Sequence, residues 1–291
     1  MKYYYLFPLL SSWLYVIGVM FIKQCSAHGV GIWRITFVSN IASAVLYVPL
    51  LFVAGEWPGM ERFWEPALAA CLFIGGQAFT FIALQKGDVS VATPVLGLKP
   101  VIVAMLVVAI LGEGIRPALW VSAGLSAAGV AMLNATSGAK HHHVISTIAL
   151  SLVAGSCFSL FDVLVQKFAQ GWDIKRFLPA MFAFVSIFSL AFIPWFTAPL
   201  REIPKMAWPP LAWGSLFLGL QGVVFISSVG IYGDATALNI IFSSRGLWSV
   251  VTVWLVGHWF ANEENELGKA VFAKRLVGAA LMLGAIVLTL I

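Results

Sequence analysis

Ten long apolar runs constrain the fold of this 291-residue chain more than any other feature. A transmembrane helix needs about 20 apolar residues. Runs of that kind, separated by charged or turn residues, lie at 4–22, 32–53, 64–84, 89–111, 117–134, 145–167, 177–196, 209–230, 235–257 and 274–291. The chain is 61% hydrophobic and 10% charged, whereas soluble chains are about 45–50% apolar and about 25% charged. The sequence therefore predicts an all-α membrane protein with ten transmembrane helices.

The two halves of the chain resemble one another in sequence. A shift of 144 residues places Ser12 on Ser156, Lys23 on Lys167, Gly75 on Gly219 and Gln77 on Gln221. A shift of 146 places Gly87-Asp88 on Gly233-Asp234 and Lys99 on Arg245. We predict two repeats, 1–138 and 145–291, joined by a linker at 139–144. Because each repeat holds an odd number of helices, the second is inverted relative to the first, a plan typical of secondary transporters.

Two basic residues lie deep inside apolar runs, at equivalent places in the two repeats. Lys99 follows Asp88 by 11 residues, which is about 16 Å of helix and half of a hydrocarbon core about 30 Å thick. Arg245 follows Asp234 in the same way. A base at that depth costs about 2.5–3.5 kcal/mol to insert. An internal carboxylate, a water-filled cavity or an anionic substrate must therefore compensate each of them.

Asp162 is the one carboxylate that lies well inside an apolar run. It can neutralise only one of the two bases, so the surplus charge favours anion binding by Lys99 and Arg245. Two other roles stay open. Asp162 titrates and couples transport to protons, since burial raises a carboxyl pKa while a nearby base lowers it, or it forms a plain salt bridge that joins helices.

Further candidate residues surround the two bases. The fourth run is interrupted by Pro94, Gly97 and Pro100, and the ninth by Gly246, so the backbone there departs from a regular helix. Freed carbonyls at this depth are tolerated where they line a cavity, although a kink needed only for packing is the alternative. The candidate substrate ligands beside the bases are Gln77, Gln221, Asn239, Ser243 and Ser244. The glutamines alternatively bridge neighbouring helices.

Several site classes are excluded by the motifs. The three histidines at 141–143 lie in the linker, and we expect neither a metal nor a cofactor. Phosphate-binding loops, nucleophile elbows and paired catalytic carboxylates are absent, which argues against an enzyme. No arginine-rich stripe marks a nucleic-acid partner. We expect Arg34 and Arg176, near the starts of the second and seventh runs, to extend to the membrane surface. Glycines in the fifth and tenth runs serve internal packing or a homodimer.

Three stretches of the first repeat resemble a known family. They are an Ala-Leu helix end before Gly-Asp at 83–90, a mid-span Lys-Pro at 98–101 and a closing Gly-Glu at 111–113. This order is similar to that of the drug/metabolite transporter superfamily, specifically its EamA-like ten-helix transporters. The resemblance implies a multi-pass protein of the inner membrane that exports metabolites or amino acids through a central cavity.

The second repeat departs from the family pattern at two places. Arg245-Gly246 replaces the mid-span proline, and Gly257-His258 stands where Gly-Glu is expected. Basic residues in both central spans are closer to the sugar-phosphate translocators of the same superfamily. We therefore predict an alternating-access secondary transporter of a small organic metabolite that bears an anionic group. Its expected partner is the bilayer, and a homodimer is an open alternative to a monomer. The alternatives are an exporter of amino acids or neutral metabolites, a membrane enzyme and a non-transporting subunit.

Overall fold

The computed structural model describes residues 2–53, 55–86, 89–133, 144–256 and 269–291, and these residues form helices and connecting segments without a β-strand. The α-helices are α1 Leu6–Ala27, α2 Ile32–Tyr47, α3 Trp64–Lys86, α4 Val89–Leu96, α5 Lys99–Leu106, α6 Pro117–Leu133, α7 Val144–Ala169, α8 Ile174–Ser189, α9 Trp208–Tyr232, α10 Ala235–Phe242, α11 Arg245–Val256 and α12 Lys269–Leu290. Turns of 3₁₀-helix extend α2 and α8.

Each predicted apolar run contains a described helix or a pair of short helices. Seven described segments are long and apolar enough to cross a membrane, and two shorter apolar helices lie at Pro117–Leu133 and Leu276–Leu290. The ninth run is divided between α10 and α11. The predicted all-α membrane fold is therefore confirmed.

Several helices extend beyond the predicted runs. The helix α1 continues through Lys23 to Ala27, and α12 begins at Lys269 instead of near residue 274. A charged residue ends the apolar run without ending the helix, because the aliphatic stem of lysine lies along the apolar surface while its ammonium reaches water.

Several helices pack mainly against a helix of the other repeat, and the pairs agree with two inverted repeats. The helix α1 packs along α9, and α3, which is equivalent to α9, packs along α7, the equivalent of α1. The helices α2 and α8 pack on each other, as do α6 and α12. The core is thus built mainly between the repeats. Residues 139–143 of the predicted linker at 139–144 lie outside the described residues, so the exact division of the chain stays a prediction.

The fourth and ninth spans are both discontinuous, and they break at equivalent places. The helix α4 ends at Leu96 and α5 restarts at Lys99. Pro100 lies in the first turn of α5, where its missing N–H costs little. In the second repeat α10 ends at Phe242 and α11 restarts at Arg245. Each basic residue therefore opens the second half of a broken span.

Two glycines allow close contact between α6 and α12. A Cβ atom added to Gly129 would lie 2.8 Å from the carbonyl oxygen of Gly278, and one added to Gly278 would lie 2.8 Å from that of Gly129. These glycines serve packing inside the chain. A homodimer stays a prediction.

Candidate functional site

Lys99 and Asp162 form an ion pair between the two repeats. The Lys99 Nζ lies 2.7 Å from Asp162 Oδ2, and the Lys99 and Asp162 side chains are 17% and 2% exposed. The helix α7 carries Asp162 and packs against both α4 and α5, which brings the carboxylate to the break that Lys99 follows. The charge of Lys99 is therefore compensated inside the protein.

Asn239 holds the carboxylate of this pair from the ninth span. Its Nδ2 donates to Asp162 Oδ2 over 2.8 Å and to the carbonyl of Ala235 over 2.9 Å. Asn239 is buried, so in this structure its amide contacts protein groups. Ser159 on α7 also donates to the carbonyl of Lys99, over 3.4 Å. The acid is thus fixed by contacts from both broken spans.

Arg245 has a different environment. Its guanidinium carbon lies 4.9 Å from the ring centre of Tyr15 and 5.0 Å from that of Phe242, distances at which a cation is attracted to an aromatic face. Among the described residues, none of the ion pairs involves Arg245. It is a partly buried base without a carboxylate partner in that part of the chain.

Two phenylalanines connect the surroundings of the two bases. The rings of Phe225 and Phe242 lie 4.5 Å apart. Lys99 Nζ lies 5.6 Å from the Phe225 ring centre, and Arg245 lies over the Phe242 ring. Both bases therefore belong to one central cluster, defined as Lys99, Asp162, Phe225, Asn239, Phe242 and Arg245.

Lys99 and Arg245 have different surroundings because the two repeats differ at the position of Asp162. A shift of 144 residues places Asp162 on Gly18 in α1. The first repeat thus offers no acid equivalent to Asp162, and a Cβ added to Gly18 would lie 2.9 Å from the Leu218 side chain. The second repeat contributes the acid that Lys99 uses, whereas the described residues of the first repeat contribute none to Arg245.

The two glutamines have different surroundings. Gln77 and Asn40 exchange two hydrogen bonds, of 2.9 and 3.0 Å, and Asn40 also donates to Ser189. Gln77 therefore bridges α3 to α2. The side chain of Gln221 is partly buried, and its backbone carbonyl accepts from Ser11.

The serines at the ninth-span break are buried and bonded within the protein. Ser243 donates to the carbonyl of Asn239, over 3.0 Å. The hydroxyl of Ser244 lies 2.9 Å from that of Ser12 on α1. Ser243 thus bonds to α10, and Ser244 joins the break between α10 and α11 to α1. A Cβ added to Gly246, in the first turn of α11, would lie 3.1 Å from Leu133.

A cavity of about 240 Å³ opens one helical turn from the central cluster. It lies at the N-terminal face, the side that carries Lys2, residues 113–116 and residues 232–236. Gln166, in its wall, stands four residues after Asp162 on α7, and Ala235 stands four residues before Asn239 on α10. Gln166 donates to Glu113 and accepts from the Ala235 N–H. No sequence signal indicated this cavity, because residues of four separate segments form it.

The expectation that Arg34 and Arg176 extend to the membrane surface was wrong. Their exposed fractions are 4% and 8%. Arg176 donates to the carbonyls of residues 51, 53 and 55, and Arg34 to the Gly29 carbonyl and the Thr197 hydroxyl. Arg176 thus binds carbonyls of the other repeat, whereas Arg34 binds a carbonyl of its own repeat and a hydroxyl of the other. In both cases the carbonyls follow the end of a helix, where backbone acceptors are left without helical partners.

Two sequence expectations fall outside the described residues. The histidines at 141–143 and the Gly87-Asp88 turn belong to this group. The second copy of that turn is described: Gly233 has φ +63° and closes α9, and Asp234 accepts from the Ala237 N–H as the N-cap of α10. In the described ranges no cluster of three or more His, Cys, Asp or Glu residues is placed to hold a metal ion.

Comparison with known proteins agrees with this architecture. The model of the EamA-like transporter family matches residues 2–135. One solved crystal structure, 17% identical, aligns with a TM-score of 0.74 over 98% of this chain and 95% of the other, so the fold is shared over nearly the full length. No curated protein matches the sequence. The family match confirms the resemblance stated above over residues 2–135, and the apolar helices fit a multi-pass membrane protein.

Proposed function

We propose that the chain is an alternating-access secondary transporter that binds the anionic group of a small organic metabolite at Arg245. The observation that carries this proposal is the difference between the two bases. Lys99 is neutralised by Asp162 at 2.7 Å, whereas Arg245 contacts aromatic rings. An ionisable side chain inside a membrane is costly and is functional by default, and an anionic substrate supplies the missing counter-charge.

The position of Arg245 suits a carrier site. It opens α11, the second half of a broken span, and lies ten residues after Ala235, about 15 Å into the span. The positive end of a helix dipole adds to the attraction for an anion there. Sites of this kind, built at discontinuous helices near the midplane between inverted repeats, are common in secondary transporters. Tyr15 and Phe242 supply an apolar wall for the body of the substrate.

Access to the site is consistent with the cavity at the N-terminal face. Its walls reach Gln166 and Ala235, each one helical turn from a member of the central cluster. Between repeats packed mainly against each other, rocking of one repeat against the other exposes the cluster alternately to the two faces.

The proposal is tested by replacing Arg245 with Gln in purified protein. A thermal-shift screen of anionic, zwitterionic and cationic metabolites first finds a ligand, since binding to the folded form raises the melting temperature. Uptake of that ligand is then measured in proteoliposomes. We expect Arg245→Gln to lower uptake at least about 30-fold, a loss of about 2 kcal/mol in anion binding, and Arg245→Lys to retain part of it.

The matched control is Arg201→Gln, which removes an exposed arginine from the segment between α8 and α9. It should transport at the wild-type rate. Selective binding of cations alone, or equal uptake by the Arg245→Gln and Arg201→Gln variants, would refute the proposal. Turnover of the ligand in detergent, without a membrane barrier, would favour an enzyme instead.

A further inference from the structure

The central cluster carries three charged side chains and a net charge of +1 in the described part of the chain. Lys99 and Arg245 are positive, and Asp162 is negative. Other charged residues lie towards the membrane faces: Lys2, Glu113, Arg116 and Asp234 around the cavity, and Arg34 and Arg176 on the carbonyls and hydroxyl described above. Among the described residues, these three groups set the charge of the cluster.

The geometry keeps Lys99 from acting as a second anion ligand. Its ammonium lies 2.7 Å from Asp162 Oδ2, and Asn239 holds the same oxygen atom over 2.8 Å. An anion that recruited Lys99 would have to displace a buried carboxylate and leave it without its base. Removing one partner of a buried ion pair is strongly unfavourable because an uncompensated charge remains.

We infer that the site selects substrates that carry one negative charge, such as carboxylate monoanions, over dianions such as phosphate monoesters, and that Asp162 determines this selectivity by cancelling Lys99. The inference rests on the proposed function. A monoanion at Arg245 makes the cluster neutral. A dianion leaves one negative charge in a medium of low dielectric constant, where an unpaired charge is penalised.

The experiment compares ligands of the same chain length that differ in the number of carboxylate groups. Monocarboxylates and dicarboxylates of four to nine carbons, with the matching neutral amides, are titrated onto purified protein in nanodiscs. Wild-type protein should bind monoanions at least about tenfold more tightly than the matched dianions, the least that one uncompensated charge predicts. Asp162→Asn raises the cluster charge to +2 and should reverse the preference by a similar factor.

The double variant Lys99→Gln/Asp162→Asn is the matched control. It returns the cluster to +1 through Arg245 alone and should restore the preference for monoanions. The single variant Lys99→Gln lowers the charge to zero and should reduce monoanion affinity at least about tenfold. This second comparison keeps the test decisive if Asp162→Asn fails to fold, because Lys99→Gln and the double variant differ only at residue 162.

The outcomes separate the two proposals. Suppose that the wild-type protein binds an anion through Arg245. The inferred charge selectivity is then wrong, and the proposed function stands, if Asp162→Asn has the same ratio of monoanion to dianion affinity as the wild type. The same conclusion follows if Lys99→Gln and the double variant bind monoanions with the same affinity. A double variant that prefers dianions also overturns the inferred selectivity. If wild-type protein binds no anion, the proposed function fails and the selectivity fails with it.

Discussion

Replacing Arg176 by Met removes one of the most extensively bonded side chains between the two repeats. Arg176 is buried at the start of α8. Its guanidinium donates four hydrogen bonds to three carbonyls of the segment after α2, at 2.8 Å for Leu51, 3.1 Å for Val53 and 3.1 and 3.3 Å for Gly55. The equivalent residue Arg34 donates two, both of 3.2 Å.

The expected cost is smaller than the sum of the bonds. A hydrogen bond to a charged group contributes about 1.5–3 kcal/mol, but bonds made by one side chain are not independent. The segment 51–53 is also exposed, so water replaces part of what its carbonyls lose. We expect Arg176→Met to lower the free energy of unfolding by about 2–4 kcal/mol and Arg34→Met by about half as much.

The measurement is reversible unfolding in mixed detergent micelles, followed by tryptophan fluorescence. Arg176→Lys serves as a second control, because lysine keeps the charge but lacks the planar fork of donors, and it should lie between wild type and Arg176→Met. The reasoning fails if Arg34→Met destabilises the protein as much as Arg176→Met, since bond number then does not determine the cost.

The remaining predictions concern helix packing and the two glutamines. Gly129→Leu should lower the free energy of unfolding by more than about 2 kcal/mol, because a Cβ there already meets a carbonyl oxygen of α12 at 2.8 Å, whereas Gly124→Ala, with no atom within 4 Å of its Cβ, should be close to neutral. Gln77→Leu should cost about 1–3 kcal/mol because the buried amide of Asn40 loses two of its hydrogen bonds. Gln221→Leu should leave stability within about 1 kcal/mol and change ligand affinity in the thermal-shift assay.

The fold could be predicted from the lengths of the apolar runs because a bilayer permits few alternatives. Backbone polar groups inside hydrocarbon must be satisfied within the segment, which leaves helices as the solution for runs of this length. Helix ends were less predictable. The helix α1 passes Lys23 without a break, because hydrocarbon thickness limits the apolar run and backbone hydrogen bonding limits the helix.

Part of the candidate site could also be read from spacing. Counting residues from the Gly-Asp turns placed Lys99 and Arg245 at the same depth, and each opens a half-helix in the structure. The sequence showed that one acid was available for two bases. It did not show which base would receive the acid, because that depends on how α7 packs against α4 and α5.

The burial of the two arginines and the identity of their acceptors could not be predicted from the sequence. A base near the start of an apolar run has the same pattern whether it extends to water or turns inward. The acceptors of Arg176 stand more than 120 residues away, at Leu51, Val53 and Gly55. Neither their carbonyls nor the path of their segment has a signature in side-chain types, so only the tertiary structure identifies the contact.

The central cluster suggests how a symmetric scaffold holds an asymmetric substrate. Two inverted repeats place equivalent residues at equivalent depths, which serves alternation between two faces but offers a ligand two similar half-sites. Replacement of the acid by Gly18 in the first repeat removes that equivalence. Asp162 pairs with Lys99, whereas Arg245, beside Tyr15, has no carboxylate partner among the described residues. If the chain binds an anion at Arg245 as proposed, that anion lies nearer to α1 and α11 than to α5. Under the proposed function, we expect the contacts of α1 with α10 and α11 to couple substrate binding to the movement of the repeats.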